Sequence, residues 1–286
     1  MTIKNPIEWS GAQIVQAAHT FGEIGRSLQH VQDTIHSPAP AVRKISVADL
    51  SDSLREGFAD FGAYRTDVIF LGVIYAVVGL ILARLAFGMD LLPLIFPLAS
   101  GFALIGPIAA IGLYEMSRRR EQGVEANFGN AFDVFRAPAL GSVLVLGVAL
   151  VATFLLWQAA AWAIYRYALG PAEPTSVGGF VHDVLFTGKG HALIVIGMGV
   201  GFLFAVFAMS ISLVSFPLLI DRDVGLDTAI KTSIRAVRMN PVPTALWGLI
   251  VAAGLVLGSI PLFLGLVITI PVLGHATWHL YRKLVE

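Results

Sequence analysis

The chain has 286 residues, of which 56% are hydrophobic and only 13% charged, with 19 Lys plus Arg set against 19 Asp plus Glu and no Cys. The charged share is about half the ~25% of an ordinary soluble domain, and the apolar excess excludes a disordered chain. Zero net charge speaks against a nucleic-acid partner, and the absence of Cys removes disulfides, thiolate metal sites and a Cys nucleophile.

Residues 1–42 read as a polar N-terminal tail, partly disordered, and 43–286 as one integral membrane domain. No apolar stretch within 1–66 is long enough for the core of a signal peptide. From Asp67 onward the character changes. Val68–Phe87, Leu91–Met116, Pro138–Ala168, Ala192–Ile220 and Thr244–Trp278 are each apolar for the ~20 residues that cross a bilayer. The last run is about 35 residues, or ~52 Å as a helix, which is too long for one modestly tilted span. Ser259-Ile260-Pro261 lies near its middle, where proline disfavours helix in the residue before it. The reading is therefore two short spans, Thr244–Ser259 and Pro261–Trp278, and six spans in total. The rival is five spans with one long kinked final helix.

The distribution of cations favours six. Six spans place all of the 19 Lys and Arg on one side except Arg84, Arg166 and Lys189. Both termini then face the cytoplasm, whereas five spans would export Arg282 and Lys283.

A threefold pattern runs through the membrane domain. Leu50, Leu54, Phe58 and Phe61 are spaced by 4, 4 and 3, as are Val124, Phe128, Phe132 and Phe135, and again Leu226, Ile230, Ile234 and Val237. Each set makes one stripe on a helix. The ends of two even-numbered spans also correspond: Pro107, Tyr114, Glu115 and Arg118 match Pro271, Trp278, His279 and Arg282 in spacing. The expected fold is all-α: six transmembrane helices as three hairpins, each preceded by a short amphipathic cytoplasmic helix. The repeats fall at about 49–118, 123–222 and 225–283. The amphipathic helices either lie in the headgroup plane or pack on the end of the bundle.

Three motifs carry a resemblance. They are Gly106-Pro107-Ile108-Ala109-Ala110-Ile111-Gly112-Leu113-Tyr114-Glu115-Met116-Ser117-Arg118-Arg119, then Ser215-Phe216-Pro217-Leu218-Leu219-Ile220-Asp221-Arg222-Asp223-Val224, then Gly274-His275-Ala276-Thr277-Trp278-His279-Leu280-Tyr281-Arg282. Together, from about Arg43 to the C-terminus, the chain resembles the domain of unknown function 2189 family, predicted integral membrane proteins of proteobacteria. The resemblance implies a multi-pass protein of the bacterial cytoplasmic membrane and a six-span bundle, and it implies no activity. The repeat is similar, more weakly, to the membrane half of some glycerophosphodiester phosphodiesterases, but no phosphodiesterase domain is present. Some relatives bear the label of a cytochrome c oxidase subunit. A haem-copper core needs several His ligands inside long spans, and His19, His30, His36, His182 and His191 fall in tails or loops.

Few residues invite chemistry. His275 and His279 share a helix face and are candidates for a metal, against an interfacial pair beside Trp278 and Tyr281. Glu115 is an ionisable group at the end of a span, hence a candidate for an ion or proton role, against a structural pair with Arg118 or Arg119 one turn on. The middle repeat keeps only Arg222 in the corresponding place, and Asp221 beside it is a further polar candidate. Arg84 either pairs with Asp90 or snorkels to the headgroups. Gly197, Gly199 and Gly201, with Gly254 and Gly258, are the small residues of close helix packing. Six prolines, Pro107 and Pro217 among them, either break spans as in transporters or kink and end them. The outer loop Gly170–Gly190 holds enough apolar residues for a short re-entrant or surface helix. No catalytic residues and no cofactor are expected, and no phosphate loop, zinc-protease motif or nucleophile elbow occurs. The expected role is a non-enzymatic scaffold, assembly factor or accessory partner of inner-membrane complexes. The alternative is a small-solute or lipid transporter working through the centre of the bundle.

Overall fold

The structure is a computed structural model and describes residues 34, 37–88, 92–124, 138–170, 174 and 176–286. Among these every regular element is helical. The order is α1 (Val47–Gly88), a 3-10 turn (Leu92–Leu94), α2 (Ile95–Ala109), α3 (Ile111–Glu121), α4 (Leu140–Leu169) and α5 (Val177–Phe186). Then come α6 (Gly188–Ser212), α7 (Ser215–Asp221), α8 (Leu226–Met239), α9 (Pro241–Ser259) and α10 (Leu266–Leu284). Among the described residues three stretches are long and apolar enough to cross a membrane: Leu140–Leu169, Gly188–Asp221 and Pro241–Ser259. A fourth counts if the bent pair Leu92–Gly101 and Ala103–Ala109 is one span.

The first amphipathic segment and the first apolar run form one helix, α1. Ser46 starts it: the Ser46 amide donates to Oδ2 of Asp49 at 2.7 Å, as in a capping box. Tyr64, at φ −112° and ψ 18°, kinks it between its two halves. The stripe of its first half is unequally used, for Leu50 is buried, Leu54 and Phe61 are half-buried and Phe58 is exposed. The second stripe, Phe128, Phe132 and Phe135 after Val124, lies outside the described residues. So do Asp90, the expected partner of the exposed Arg84, and most of the expected tail, including His19, His30 and His36. Ser37–Val42, the end of that tail, is docked. The Ser37 hydroxyl accepts from the Gly225 amide at 2.7 Å, and Val42 forms an antiparallel bridge with Val285.

The expected continuous span Leu91–Met116 is interrupted instead. The chain bends by 42° between Gly101 and Ala103 and turns again at Ala110. Pro107 offers no N–H to the carbonyl of Ala103, and its ring crowds that turn. The same chemistry acts at Pro217, which offers no N–H to the carbonyl of Leu213 where α6 gives way to α7. There α8 repairs the backbone. The Val214 amide donates to Oγ of Ser233 at 3.2 Å, and Oγ of Ser215 donates to the Ala229 carbonyl at 3.1 Å. The fully buried face of α8 is accordingly small and polar, namely Thr228, Ala229, Thr232, Ser233 and Ala236. Its aliphatic stripe (Leu226, Ile230, Ile234, Val237) is only half-buried.

The final apolar run divides into two helices, α9 and α10, with a boundary later than Pro261. The turn runs from Ile260 to Gly265, and Leu262 and Phe263 there take positive φ, 52° and 66°. The helices return antiparallel at contact distance. A Cβ on Gly265 would stand 2.7 Å from Cα of Gly258, and one on Gly254 would stand 3.0 Å from Thr269.

A dense part of the core surrounds the three sequence motifs. Leu113, Met116, Val214, Phe216, Leu218, Leu219, Trp278, Leu280, Tyr281 and Leu284, in or within two residues of the motifs, are all within 2% of full burial. Leu146, Leu150 and Trp157 of α4 and Trp247 of α9 are buried to the same degree. Further along the spans, aliphatic and aromatic side chains such as Val148, Leu155, Val195, Phe202, Leu249 and Val256 are exposed, as lipid-facing positions are.

Candidate functional site

The core around the motifs holds a dense polar cluster, built where α1, α3 and α10 meet. α1 and α10 run antiparallel and close, because Gly57 has no side chain. A Cβ there would lie 2.7 Å from both Cβ and N of Ala276. Gly274 likewise gives its place to the Leu113 side chain. These two contacts bring Asp60, Ser117, His275 and His279 together.

Asp60 is the hub. Its Oδ2 accepts from the Ser117 hydroxyl at 2.5 Å and lies 2.8 Å from Nε2 of His279, and its Oδ1 accepts from Arg120. Burial is the largest influence on Asp60 and favours the neutral acid. Hydrogen bonds from His279 and Ser117, with the charges of both histidines, outweigh it and hold the carboxyl below its ordinary range. Oγ of Ser117 also lies 2.7 Å from Nδ1 of His275. Because the hydroxyl donates its one proton to Asp60, the network assigns the His275 proton to Nδ1. Nε2 of His275 is buried and makes no hydrogen bond among the described residues. His279 turns both nitrogens to carboxylates, with Nδ1 3.3 Å from Glu56.

A second group adjoins it. Glu115, 3% exposed, accepts from Nε and Nη2 of Arg118 at 2.9 and 3.1 Å and from Nε of Arg119 at 2.7 Å. The Glu115 hydrogen bond raises Arg118 above its ordinary pKa against the opposing effect of burial, and the charge of Asp221 adds to it. Asp221 accepts from the hydroxyl of Tyr281 at 2.7 Å and from Nη1 of Arg282 at 3.2 Å, with Nε of Arg222 at 3.5 Å. Glu121 accepts from Nε1 of Trp278 and Nε of Arg282, each at 3.0 Å.

The structure thus joins Glu115, Arg118, Asp221 and Arg222 in one charge-paired layer, next to His275 and His279. The two histidines share a helix and both face Oδ2 of Asp60, His279 directly at 2.8 Å and His275 at 3.9 Å with Ser117 between them. Among the described residues no three His, Asp or Glu side chains are arranged to hold a metal ion. The arrangement is a relay of donors, from Nδ1–H of His275 through Ser117 to Asp60, and Ser117 is fully buried. Its hydroxyl proton is committed to a carboxylate, which makes it a structural link and a poor nucleophile.

Sequence reasoning overlooked Asp60, Ser117, Arg120 and Glu121. One signal was present. Glu56 and Asp60 are four apart on α1, complementary to His275 and His279 four apart on α10, which is the pairing of two antiparallel helix faces.

Outside this cluster, Nε1 of Trp157 donates to the Pro97 carbonyl at 3.1 Å, tying α4 to α2. Arg166 lies 5.2 Å over the ring of Trp162. Oε1 of Gln158 is buried without a hydrogen-bond partner among the described residues. The short helix expected in the outer loop is α5, capped by Ser176 and with no residue buried.

No curated protein and no solved structure shows a significant match to the chain. A family match covers the first motif whole and the second as far as Asp221. The third motif, which also prompted the resemblance, lies outside it, as does the segment from Arg43 to Leu94. Residues 95–221 match the model of the family described as predicted integral membrane protein (DUF2189), and the matched segment carries Ser117, Glu115, Arg118 and Asp221 of the polar cluster.

Proposed function

We propose that this integral membrane protein is a non-enzymatic scaffold, assembly factor or accessory partner of other complexes in the bacterial cytoplasmic membrane. In this reading it has six spans as three hairpins, a pseudo-threefold repeat and both termini in the cytoplasm. The observation that carries the role is the surface of Gly188–Asp221. Only 6% of its most apolar 18-residue window is buried within the chain. The exposed side of this window, with Val195, Met198, Phe202 and Leu203, is open to lipid or to helices of another protein, while Val200 and Phe204 pack on the core. The polar cluster fits the same role, since its acids and bases are spent on one another and on holding the helices in register.

Co-purification from native membranes in several mild detergents tests the role, and a chain that always runs alone sinks it. Reporter fusions after Glu286 and within Gly170–Gly190 test the sidedness. They are expected to report cytoplasm and periplasm respectively, and the reverse overturns the topology.

One observation favours the transporter reading. The amide oxygen of Gln158, unpartnered among the described residues, sits within α4, where a buried acceptor without a donor is costly. In that reading Gln158→Leu lowers the flux of a labelled phospholipid across reconstituted liposomes. Wild-type liposomes that leak no faster than protein-free ones end it.

A further inference from the structure

We propose that the outward edge of α8, where it meets α9, binds the headgroup of an anionic phospholipid. Lys231, Arg235 and Arg238 are exposed and follow one another at i, i+4 and i+7, so they share one face of the helix. With Ile234 and Met239 they line an open groove of about 420 Å³. The face cannot turn inward, because the opposite side of α8 is committed to the core through Thr228, Ala229, Thr232, Ser233 and Ala236. Lys231 is answered by Asp227 at 3.0 Å. Arg235 and Arg238 have no carboxylate partner among the described residues.

The lining is both cationic and apolar, which is what an amphiphile requires and a free inorganic anion does not. The site also sits where an anionic headgroup would be. Asn240 breaks the chain between α8 and α9, at φ −128° and ψ 53°. The exposed aliphatic face of α9 begins at once with Val242 and continues through Leu249 and Val256. Acyl chains that cover Val242 and Leu249 bring their phosphate to the level of Arg238 and Arg235. Guanidinium groups match phosphate oxygens two at a time, and basic pockets beside the cytoplasmic ends of spans suit anionic lipids. The inference rests on α9 crossing the bilayer and is independent of the accessory role, so failure of co-purification leaves it standing.

The test uses the full-length protein in neutral detergent. Its thermal midpoint is followed while dioctanoyl phosphatidylglycerol, dioctanoyl phosphatidylcholine or inorganic phosphate is added. Phosphatidylglycerol is expected to raise the midpoint with saturation, and the other two are expected not to. The variant K231Q/R235Q/R238Q is expected to weaken the phosphatidylglycerol response by about tenfold or more. R55Q, which removes an exposed cation from α1, is expected to respond as wild type. If the triple variant does not fold, R238Q alone is expected to weaken the response by about threefold. Equal stabilisation by phosphatidylcholine points to a general lipid surface, and equal stabilisation by phosphate points to a free-anion site. Either result overturns the proposal, as does a folded variant, triple or R238Q, that responds like wild type.

Discussion

Tyr281 donates its phenolic hydrogen to Oδ2 of Asp221 across 2.7 Å, joining the last turns of the chain to a carboxylate 60 positions earlier. Arg282 bridges the same Asp221 to Glu121, and Trp278 donates to Glu121 from the preceding turn. The two carboxylates stand at the ends of α3 and α7, so one face of α10 clamps two elements of the family segment. Trp278 and Tyr281 also meet at 5.4 Å between ring centroids, with the rings tilted by 55°, and are almost fully buried. The clamp therefore combines aromatic burial with charge-assisted hydrogen bonds.

Tyr281→Phe keeps the ring and removes the bond. The Asp221 carboxylate retains Arg282 and Arg222, so the expected loss is modest, about 1–2 kcal/mol. It is read as a lowered thermal midpoint in detergent. Burial, then the hydrogen bond to Asp221 and its charge, raises the phenol above its ordinary pKa. An unfolded tyrosine ionises near ~10. The contribution of this group is thus full below pH ~10 and is lost as pH rises from there towards the folded value. Wild type should lose stability more steeply than the Phe variant in that alkaline window, and parallel curves would count against the pairing.

Gly57→Ala and Gly62→Ala form a contrast on one helix. A methyl at Gly57 runs into the Ala276 backbone, whereas one at Gly62 meets nothing within 4 Å. The first is expected to cost about 1–3 kcal/mol through overpacking. The second is expected to be neutral or to gain about 0.5–1 kcal/mol, the helix-interior advantage of Ala. Thermal midpoints decide it, and equal effects would refute the close crossing of α1 and α10.

These sites show what was legible in the sequence. The spans α4 and α6 through α7 stand within a few residues of their expected ends, because a long uncharged apolar run has few other fates. The division of Thr244–Trp278 was signalled by Pro261, although the turn itself extends to Gly265. The breaks near Pro107 and Pro217 were marked by residue type but not by outcome. Whether a proline kinks, ends or interrupts a helix depends on what rescues the freed backbone, and Ser233 lies in another helix. The buried face of α8 was hidden for a related reason. Its aliphatic stripe drew attention, whereas small hydroxyl residues beside it make the close contact. Asp60 was passed over as one more charge on an amphipathic helix, since its partners are a serine 57 positions away and histidines beyond 200.

Ser233→Ala tests the rescue at the α6–α7 break. It removes the acceptor of the buried Val214 amide at the break between α6 and α7. The expected cost is about 1–2 kcal/mol, more than a surface Ser→Ala. Ser51→Ala on the exposed side of α1 is the comparison, expected within about 0.5 kcal/mol of wild type. Equal midpoints for the two variants would remove Ser233 from this role.

Asp60→Asn tests the hub. The side chain is 5% exposed and the partner Arg120 is 39% exposed, so the ion pair is partly screened. The amide can still accept from Ser117, but it no longer answers Arg120 or His279 with charge. The expected loss near neutral pH is about 1–3 kcal/mol. The carboxyl is held below its ordinary value in the folded chain. Its stabilisation is therefore present above the unfolded pKa of ~3.9 and is lost as pH falls through the lower folded value. Between pH 7 and 5 the gap between wild type and D60N should stay constant as far as this group is concerned, and below ~4 it should narrow. Chemical or thermal unfolding across that range measures the gap. A gap that widens in acid would mean that Asp60 is neutral in the folded protein, and the relay from His275 through Ser117 would then run in the opposite sense.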